Sequence, residues 1–526
     1  MGSTIHRIAA LSVAATLLGS PGVMSAPSKR DPGPGCAPDR PAVAHHAGGA
    51  VVQNPKGKAH TPPIPCSTKT GFRTSEVSIA VSNAGTVLFQ PALSDASGFP
   101  IGVLGSADQG GTWNFVAPTG ALARTRATDM NISVDRQTGR IFWTSELGPP
   151  VGGGVPRVDH SDDDGQTWVG SATLPMPYDH TQVFTGPPPA SLKQKPKGYP
   201  NVVYVAVSGG FTCVLSGTLC GTHVSKSLDG GMTFGPAIAI PFPAECPVPG
   251  MNPTGGYGLS GVVDKKGTVY LPFTPCERPY IAISHDSGDT WQLVLVADTM
   301  TIGWGELGLG MDKEENLYGA WVAFADRLPY LATSRDHGLH WSSPVMIGAP
   351  GVIETAVPQL VAGKRGQVAV TYYGSRNAPL PFTPPCVGPS TTCPGHENQT
   401  WDTYITESFN ALADRPLFWS ATLNDPALPT WYGVTPSSIR VPGGFNGASG
   451  PGVGGPSGGG RLDYYAMTMA PDDTPWVGYG QACPFGKPVA GNPNCPSTLT
   501  GTGPDSLWGF AGRLVRVKGE SEEDDD

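Results

Sequence analysis

From residue 76 the chain reads EVSIAVSNAGTVLFQPA, in which an alternating apolar and polar run, a polar turn and a second apolar run follow one another. The same order returns as DMNISVDRQTGRIFWTS from 129, GLSGVVDKKGTVYLPF from 258 and ELGLGMDKEENLYGAWV from 306. Weaker copies lie at 356–373 and 464–479, and another around 180–207 is interrupted by GPPPASLKQKPKG. Period-two alternation bounded by Gly, Asn and Asp predicts antiparallel hairpins.

Downstream of five of these hairpins stands a second pattern: SADQGGTW (106–113), SDDDGQTW (161–168), SLDGGMTF (227–234), SHDSGDTW (284–291) and SRDHGLHW (334–341). Each unit thus predicts strand A, a turn, strand B, a variable loop, strand C, the Ser-Asp-Gly-aromatic turn, and strand D. Repeated four-stranded sheets set around an axis make an all-β fold, a β-propeller. The count is seven units, with six as the competing count if the interrupted third unit merges with a neighbour. The sixth unit has a worn turn at ESFNALADRPLFWS (407–420), and the seventh shows A, B and a C strand near 508–517. A strand from before residue 70, near AVVQ (50–53), is expected to supply the missing edge and close the ring. In each turn the Ser and Asp side chains accept backbone N–H bonds, Gly takes positive φ, and the aromatic is expected to be buried beside the next blade.

Composition agrees with short strands and tight turns: 72 Gly and 56 Pro in 526 residues, with 14% charged. A net charge of -9 argues against nucleic acid as a partner, since phosphate binding wants a basic face. Residues 1–26 have the three-part pattern of a secretory signal peptide, and no later apolar run is long enough to span a membrane. A secreted, extracellular protein is expected, with a leader over 27–69, the propeller over 70–518 and an acidic tail over 519–526. Ten cysteines suit an oxidising compartment and fall as Cys36 with Cys66, Cys213 with Cys220, Cys246 with Cys276, Cys386 with Cys393, and Cys483 with Cys495. Their spacing does not suit zinc. Asp162, Asp163 and Asp164 resemble a calcium loop, but His160 stands where the upstream ligand would be. No metal or cofactor is expected, and a monomer is.

The repeated turn resembles the Asp-box, or bacterial neuraminidase repeat, of the sialidase-like propellers. It specifies fold more than reaction, so function is sought at the opposite face, where strand A begins and the B-to-C loops emerge. Strand parity points Glu76, Asp129 and Glu306 inward at one mouth, and Arg73 and Arg126 precede two of them in an Arg-x-x-acid arrangement. The loops add Asp95, Glu146, Glu277, Arg278, Asp326, Arg327 and Arg376. The resemblance implies an arginine triad for a sugar carboxylate, an Asp acid/base, and a Tyr nucleophile polarised by a Glu. Arg73 follows Phe72 as the family's first Arg does, although the Ile-Pro that completes that motif is Thr74-Ser75 here. On this reading Arg73 and Arg278, with Arg327 or Arg376, form the triad. Asp95 is the acid/base, and Tyr257 or Tyr372 is the nucleophile with Glu306 or Glu277. The partner is a carbohydrate, either cleaved by a glycoside hydrolase or held by a non-catalytic binding propeller, which would use exposed aromatics such as Trp401 or Trp431. Gly455-Pro456-Ser457-Gly458-Gly459 spells a nucleophile elbow but lacks its strand-to-helix setting.

Overall fold

Residues 202–207, VVYVAV, are apolar without a break. Alternate side chains of this strand belong to two different cores: Val203, Val205 and Val207 face one, and Val202, Tyr204 and Ala206 the other. A sheet buried on both faces needs apolar residues at every position, so inner strands lose the alternation that a half-exposed sheet would show. Leu317 and Trp321 likewise face one neighbour while Tyr318 and Ala320 face the other.

The computed structural model describes residues 32–53, 55, 61–74, 77–90, 102–116, 131–147, 155–174, 179–208, 221–246, 261–301, 307–377, 399–432, 466–481 and 508–516. They form seven antiparallel four-stranded blades of a β-propeller. The innermost A strands are Ser78–Val81, Asn131–Val134, Asp179–Gly186, Val262–Val263, Leu307–Met311, Glu354–Ala362 and Ala466–Met469. Seven apolar clusters match the seven blade interfaces, from blades one and two (Leu88, Ile132, Trp143) round to blades seven and one (Trp476, Ile79, Phe89). The interrupted third unit is a blade of its own: Asp179–Gly186 pairs with Val202–Ser208 across the proline-rich insertion.

A strand that begins before residue 70 does close the ring, but not the one expected. Ile64–Arg73, rather than residues 50–53, pairs with Trp508–Val515 and completes blade seven. The earlier segment Val43–His46 instead adds an outer strand to blade six against Leu417–Thr422, and Val51 only bridges back to His45. The reason lies in reach and register: Ile64–Arg73 is ten residues long and matches the eight-residue strand it covers. The seventh blade has no Ser-Asp turn because its C and D strands come from opposite parts of the chain and no turn joins them.

The five turns share one geometry. In the first, the Gly110 N–H donates to Ser106 Oγ at 2.8 Å, the Thr112 N–H to Asp108 Oδ1 at 2.8 Å, and the Thr112 hydroxyl to Asp108 Oδ2 at 2.9 Å. Positive φ falls at Gln109 and Gly110, and at the matching pairs of the other four turns. The closing aromatics are half-buried, and they face the preceding blade rather than the next: Trp168 donates its indole N–H to the carbonyl of Val116 in blade one. The ring leads into strand D, whose inner face looks back toward that blade. Asp162 pairs with Arg140, Asp163 is the turn carboxylate, and Asp164 accepts from the Thr86 hydroxyl, so the three serve three separate structural partners. Disulfides join Cys36 to Cys66 and Cys246 to Cys276. The other expected pairs lie outside the described residues, and among the described residues no helix is long and apolar enough to cross a membrane.

Candidate functional site

All seven A strands line one axial cavity of about 750 Å³, whose polar wall includes Ser78, Asn131, Gln182 and Gln359. These side chains are spent partly on joining blades. Ser78 Oγ accepts from the Ile132 N–H at 2.8 Å, and Asn131 accepts from the Val183 N–H and donates to Gln182. At the end bearing the Ser-Asp turns, charged groups tie blades together. Arg136 of blade two donates to the carbonyls of Val81 and Met469 in blades one and seven, at 2.6 and 2.7 Å, and Lys313 pairs with Asp473 at 2.7 Å. Cations committed to cross-blade contacts leave the opposite, loop-bearing end as the candidate site.

There a band of loops runs continuously from blade four to blade six. The loop of blade four is shaped by the disulfide at Cys276 and by positive φ at Cys276 and Glu277. The Glu277 carbonyl accepts from the backbone N–H and hydroxyl of Thr301, which bridges to Ala323 in blade five. Arg278 pairs with the exposed Asp298. In blade five the turn at Asp326 and Arg327 is fixed by Asp326, which accepts from the Leu328 N–H and, at 2.6 Å, from the Tyr330 hydroxyl; that contact, with burial, pushes the Tyr330 hydroxyl up to about 12.

The Arg327 carbonyl then accepts both the N–H and the hydroxyl of Thr355, at 2.8 Å each, binding the turn to strand A of blade six. Its guanidinium meets Glu354 Oε1 at 3.0 Å; the side chains are 14% and 1% exposed. The second Glu354 oxygen accepts from Gln399 at 2.7 Å. Glu354 stands opposite Ser375, the strand residue before Arg376. Arg376 Nε donates to the Tyr404 hydroxyl at 2.8 Å, and burial raises both Tyr404 and the neighbouring Asp402, which accepts from Asn424.

Glu277, Arg278, Asp326, Arg327 and Arg376 stand on this loop band. Arg73 ends the closing strand opposite Trp508, where its backbone reaches the same end of blade seven. Tyr372 stands apart: it is wholly buried, its hydroxyl accepts from the Ala349 N–H at 2.8 Å and meets the Thr406 hydroxyl at 3.0 Å, and its ring stacks on Tyr404 inside the blade. Trp401, expected among exposed aromatics, is fully buried in the core between blades six and seven. Glu76, Asp95, Arg126, Asp129, Tyr257 and Glu306 lie outside the described residues, as do the side chains of Glu146 and Trp431.

Glu354, Gln399, Asp402 and Tyr404 were not legible beforehand. A bulge between Ala356 and Gln359, with Val357 at φ 52° and Pro358 beside it, adds a residue to the strand and takes Glu354 out of the sequence spacing that marks Glu76, Asp129 and Glu306. Pro inside an otherwise regular strand is the available signal for such a bulge.

No family model matches the chain, and no curated protein matches it in sequence. Solved structures resemble it remotely. A protein of unknown function from Dyadobacter fermentans is 14% identical with a TM-score of 0.39, over 74% of this chain and 94% of that one. The NanB sialidase from Streptococcus pneumoniae is 12% identical with a TM-score of 0.35, over 85% of this chain and 68% of that one. The GH74 xyloglucanase from Xanthomonas campestris is 12% identical with a TM-score of 0.44, over 80% of this chain, which spans 54% of that one.

Proposed function

We propose that this is a secreted propeller that binds an extracellular glycan bearing a carboxylate at the loop face. The observation that supports it best is the buried Arg327–Glu354 pair, on the same loop band as Arg376. A guanidinium held by a buried carboxylate is rigid, and a planar, rigid fork is the natural partner for a sugar carboxylate. Arg73, Arg126 and Arg278 complete the cationic set in this reading, with Glu76, Asp95, Asp129, Glu277, Glu306 and Tyr257 as the acids and nucleophile of a glycoside hydrolase of sialidase type.

A second reading, binding without cleavage, is favoured by the state of the described candidates. The Tyr372 hydroxyl is enclosed, and Glu354 is already paired with Arg327 and Gln399. One experiment separates these readings. The purified protein is screened for binding and hydrolysis on sialosides, uronate polysaccharides and neutral glycans, beside Arg327→Ala and Arg376→Ala. Binding of acidic glycans alone, weakened about tenfold or more by either variant, supports the site; released sugar supports the hydrolase. Binding unchanged in folded variants, or confined to neutral glycans, sinks the carboxylate clamp.

A further inference from the structure

A titratable side chain anchors the outer strand of blade six. Val43–His46 reads VAHH; Val43 is 45% exposed, while His45 is wholly buried and stacks its ring on Phe418. The other buried residues here, Ala42 and Ala44, are small. The imidazole is therefore the strand's largest buried anchor, and it is the side chain whose charge ordinarily changes between about pH 5 and 8.

The bonds around the ring fix its protonation. Nδ1 lies 3.1 Å from the His46 carbonyl, which can only accept, so Nδ1 carries a hydrogen. Nε2 lies 2.7 Å from Ser420 Oγ, and in the neutral ring it accepts the one Ser420 hydrogen. The order then runs inward in a single direction. Ser420 Oγ accepts from Thr406 at 2.7 Å, Thr406 Oγ1 from Tyr372 at 3.0 Å, and the Tyr372 oxygen from the Ala349 N–H at 2.8 Å. All five residues are buried. A second proton on the ring reverses the row: Nε2 donates to Ser420, the hydroxyl hydrogens turn inward, and that of Tyr372 faces the Ala349 N–H with no acceptor along the row. No carboxylate meets the new charge. The titratable groups facing His45 are His46 beside it, which opposes a second cation, and Tyr372 at the end of the row. Leu417–Thr422 presents Phe418 and Ser420, and Asp414 and Arg415 in the turn before it are exposed. Thr400–Ser408 presents Thr406, and its acids Asp402 and Glu407 are bonded to Asn424 and Gln367. Residues 345–350 (VMIGAP), which meet the turn after the strand at Gly49, carry no charge.

We propose that His45 is an acid-sensitive latch: a proton taken up by its ring releases Val43–His46 from blade six and bares the edge of Leu417–Thr422, while the ring of blades stays closed. The strand can leave alone because it is outermost in its sheet, and the chain on either side is tied elsewhere, by Cys36 to Cys66 and by Ile64–Arg73 to blade seven. A buried cation without a partner and a buried hydroxyl without an acceptor both oppose the docked, protonated state. Burial accordingly holds the imidazole below its ordinary 6.5. Since the folded value is the lowered one, docking is strongest above about pH 6.5 and is lost as pH falls below it. His46 has no such part: it is half-buried, and its Nδ1 donates to the Pro416 carbonyl, a bond that both charge states make.

The test is amide hydrogen exchange of the intact protein from about pH 7.5 to about pH 4.5, corrected for intrinsic rates. The opening constant of residues 43–46, and of their partners in 417–420, should rise about tenfold per pH unit below about pH 6, as the uptake of one proton requires. Val202–Ser208 in blade three should stay protected throughout. His45→Phe, which keeps a ring on Phe418 and cannot be protonated, should abolish the slope, and His46→Gln should retain it. Should His45→Phe fail to fold, the wild-type imidazole resonances decide: His45 should take its proton over the pH range in which the strand opens. Exchange that stays flat with pH, a slope that survives in His45→Phe or vanishes in His46→Gln, a His45 titration outside the opening range, or opening of all seven blades together overturns the proposal.

Discussion

The Arg327–Glu354 pair links blades five and six, and removing one member should be far costlier than removing both. Glu354→Ala leaves a guanidinium that is 14% exposed without this carboxylate, and removes the oxygen to which Gln399 Nε2 donates. At 3.0 Å and an effective dielectric of 20, the Coulomb attraction is about 5 to 6 kcal/mol before desolvation. Breaking one side of a buried pair typically costs about 3 to 5 kcal/mol. Spread over the unfolding entropy of a chain of 526 residues, this lowers a cooperative melting temperature by about 4 °C. Arg327→Met alone should cost a similar amount, because it strands the carboxylate. The double variant Arg327→Met/Glu354→Met should lose much less than the sum, since no uncompensated charge remains. A double-mutant cycle by calorimetry and urea titration reads the coupling directly. A coupling below about 0.5 kcal/mol would place the pair with ordinary surface ion pairs and refute the claim that it holds the loop face rigid.

Two further outcomes test the scaffold. Trp168→Ala should cost about 2 kcal/mol, roughly half the value for a fully buried Trp because the ring is half-buried, and should leave glycan binding per folded molecule unchanged; lost binding at unchanged stability would assign the turn a functional role. Burial raises the Glu407 carboxyl to about 8 from an ordinary 4.5, so the stability it contributes is full below about pH 4.5 and is lost as pH rises through about 8. Glu407→Gln should therefore raise the melting temperature relative to wild type at about pH 9 more than at about pH 4, and an equal shift at both pH values would contradict this. At the acid end, burial would raise Asp336, but hydrogen bonds from the His340 N–H and ring and from the Ser334 hydroxyl outweigh it and hold the carboxyl at about 2. Its contribution, present above about pH 3.8, should be lost as pH falls toward 2, and Asp336→Asn should flatten that limb of the melting profile.

The scaffold was legible because its signals are local. Ser106, Asp108, Gly110 and Thr112 make all their defining bonds within seven residues, so the sequence order carries the geometry. The site was less legible because its contacts are not local. Arg327 meets Glu354 across 27 residues and Glu354 meets Gln399 across 45, and neither spacing has a periodicity to mark it. Tyr372 illustrates the other failure. On a strand buried on both faces, parity sends each side chain into one interblade core or the other, so a tyrosine there signals packing as readily as chemistry.

Closure follows the same division between local and distant. Ile64–Arg73 has a Gly at its bulge and Thr and Lys where an inner strand would have Val and Ile, which is the pattern of an outermost strand with one wet edge. Its partner is more than 400 residues away, so nothing in the immediate sequence distinguishes it from other polar stretches of the leader. What commits it is a set of contacts that exist only once the ring is closed. Arg513, 2% exposed, lies over the Trp476 ring and donates to the carbonyls of Gln109 in blade one and Pro32 in the leader, at 3.0 and 3.1 Å. Thr70 donates to the Gly509 carbonyl at 3.0 Å, and Ser67 meets the Tyr479 hydroxyl at 2.7 Å. Residues 50–53 have no such partners to offer blade seven; Val52 instead packs against the core between blades six and seven. The strand that closes the ring is therefore held by polar bonds to blade seven from Ser67 and Thr70, and the buried Arg513, bonded across the seam to blade one, makes an open ring costly.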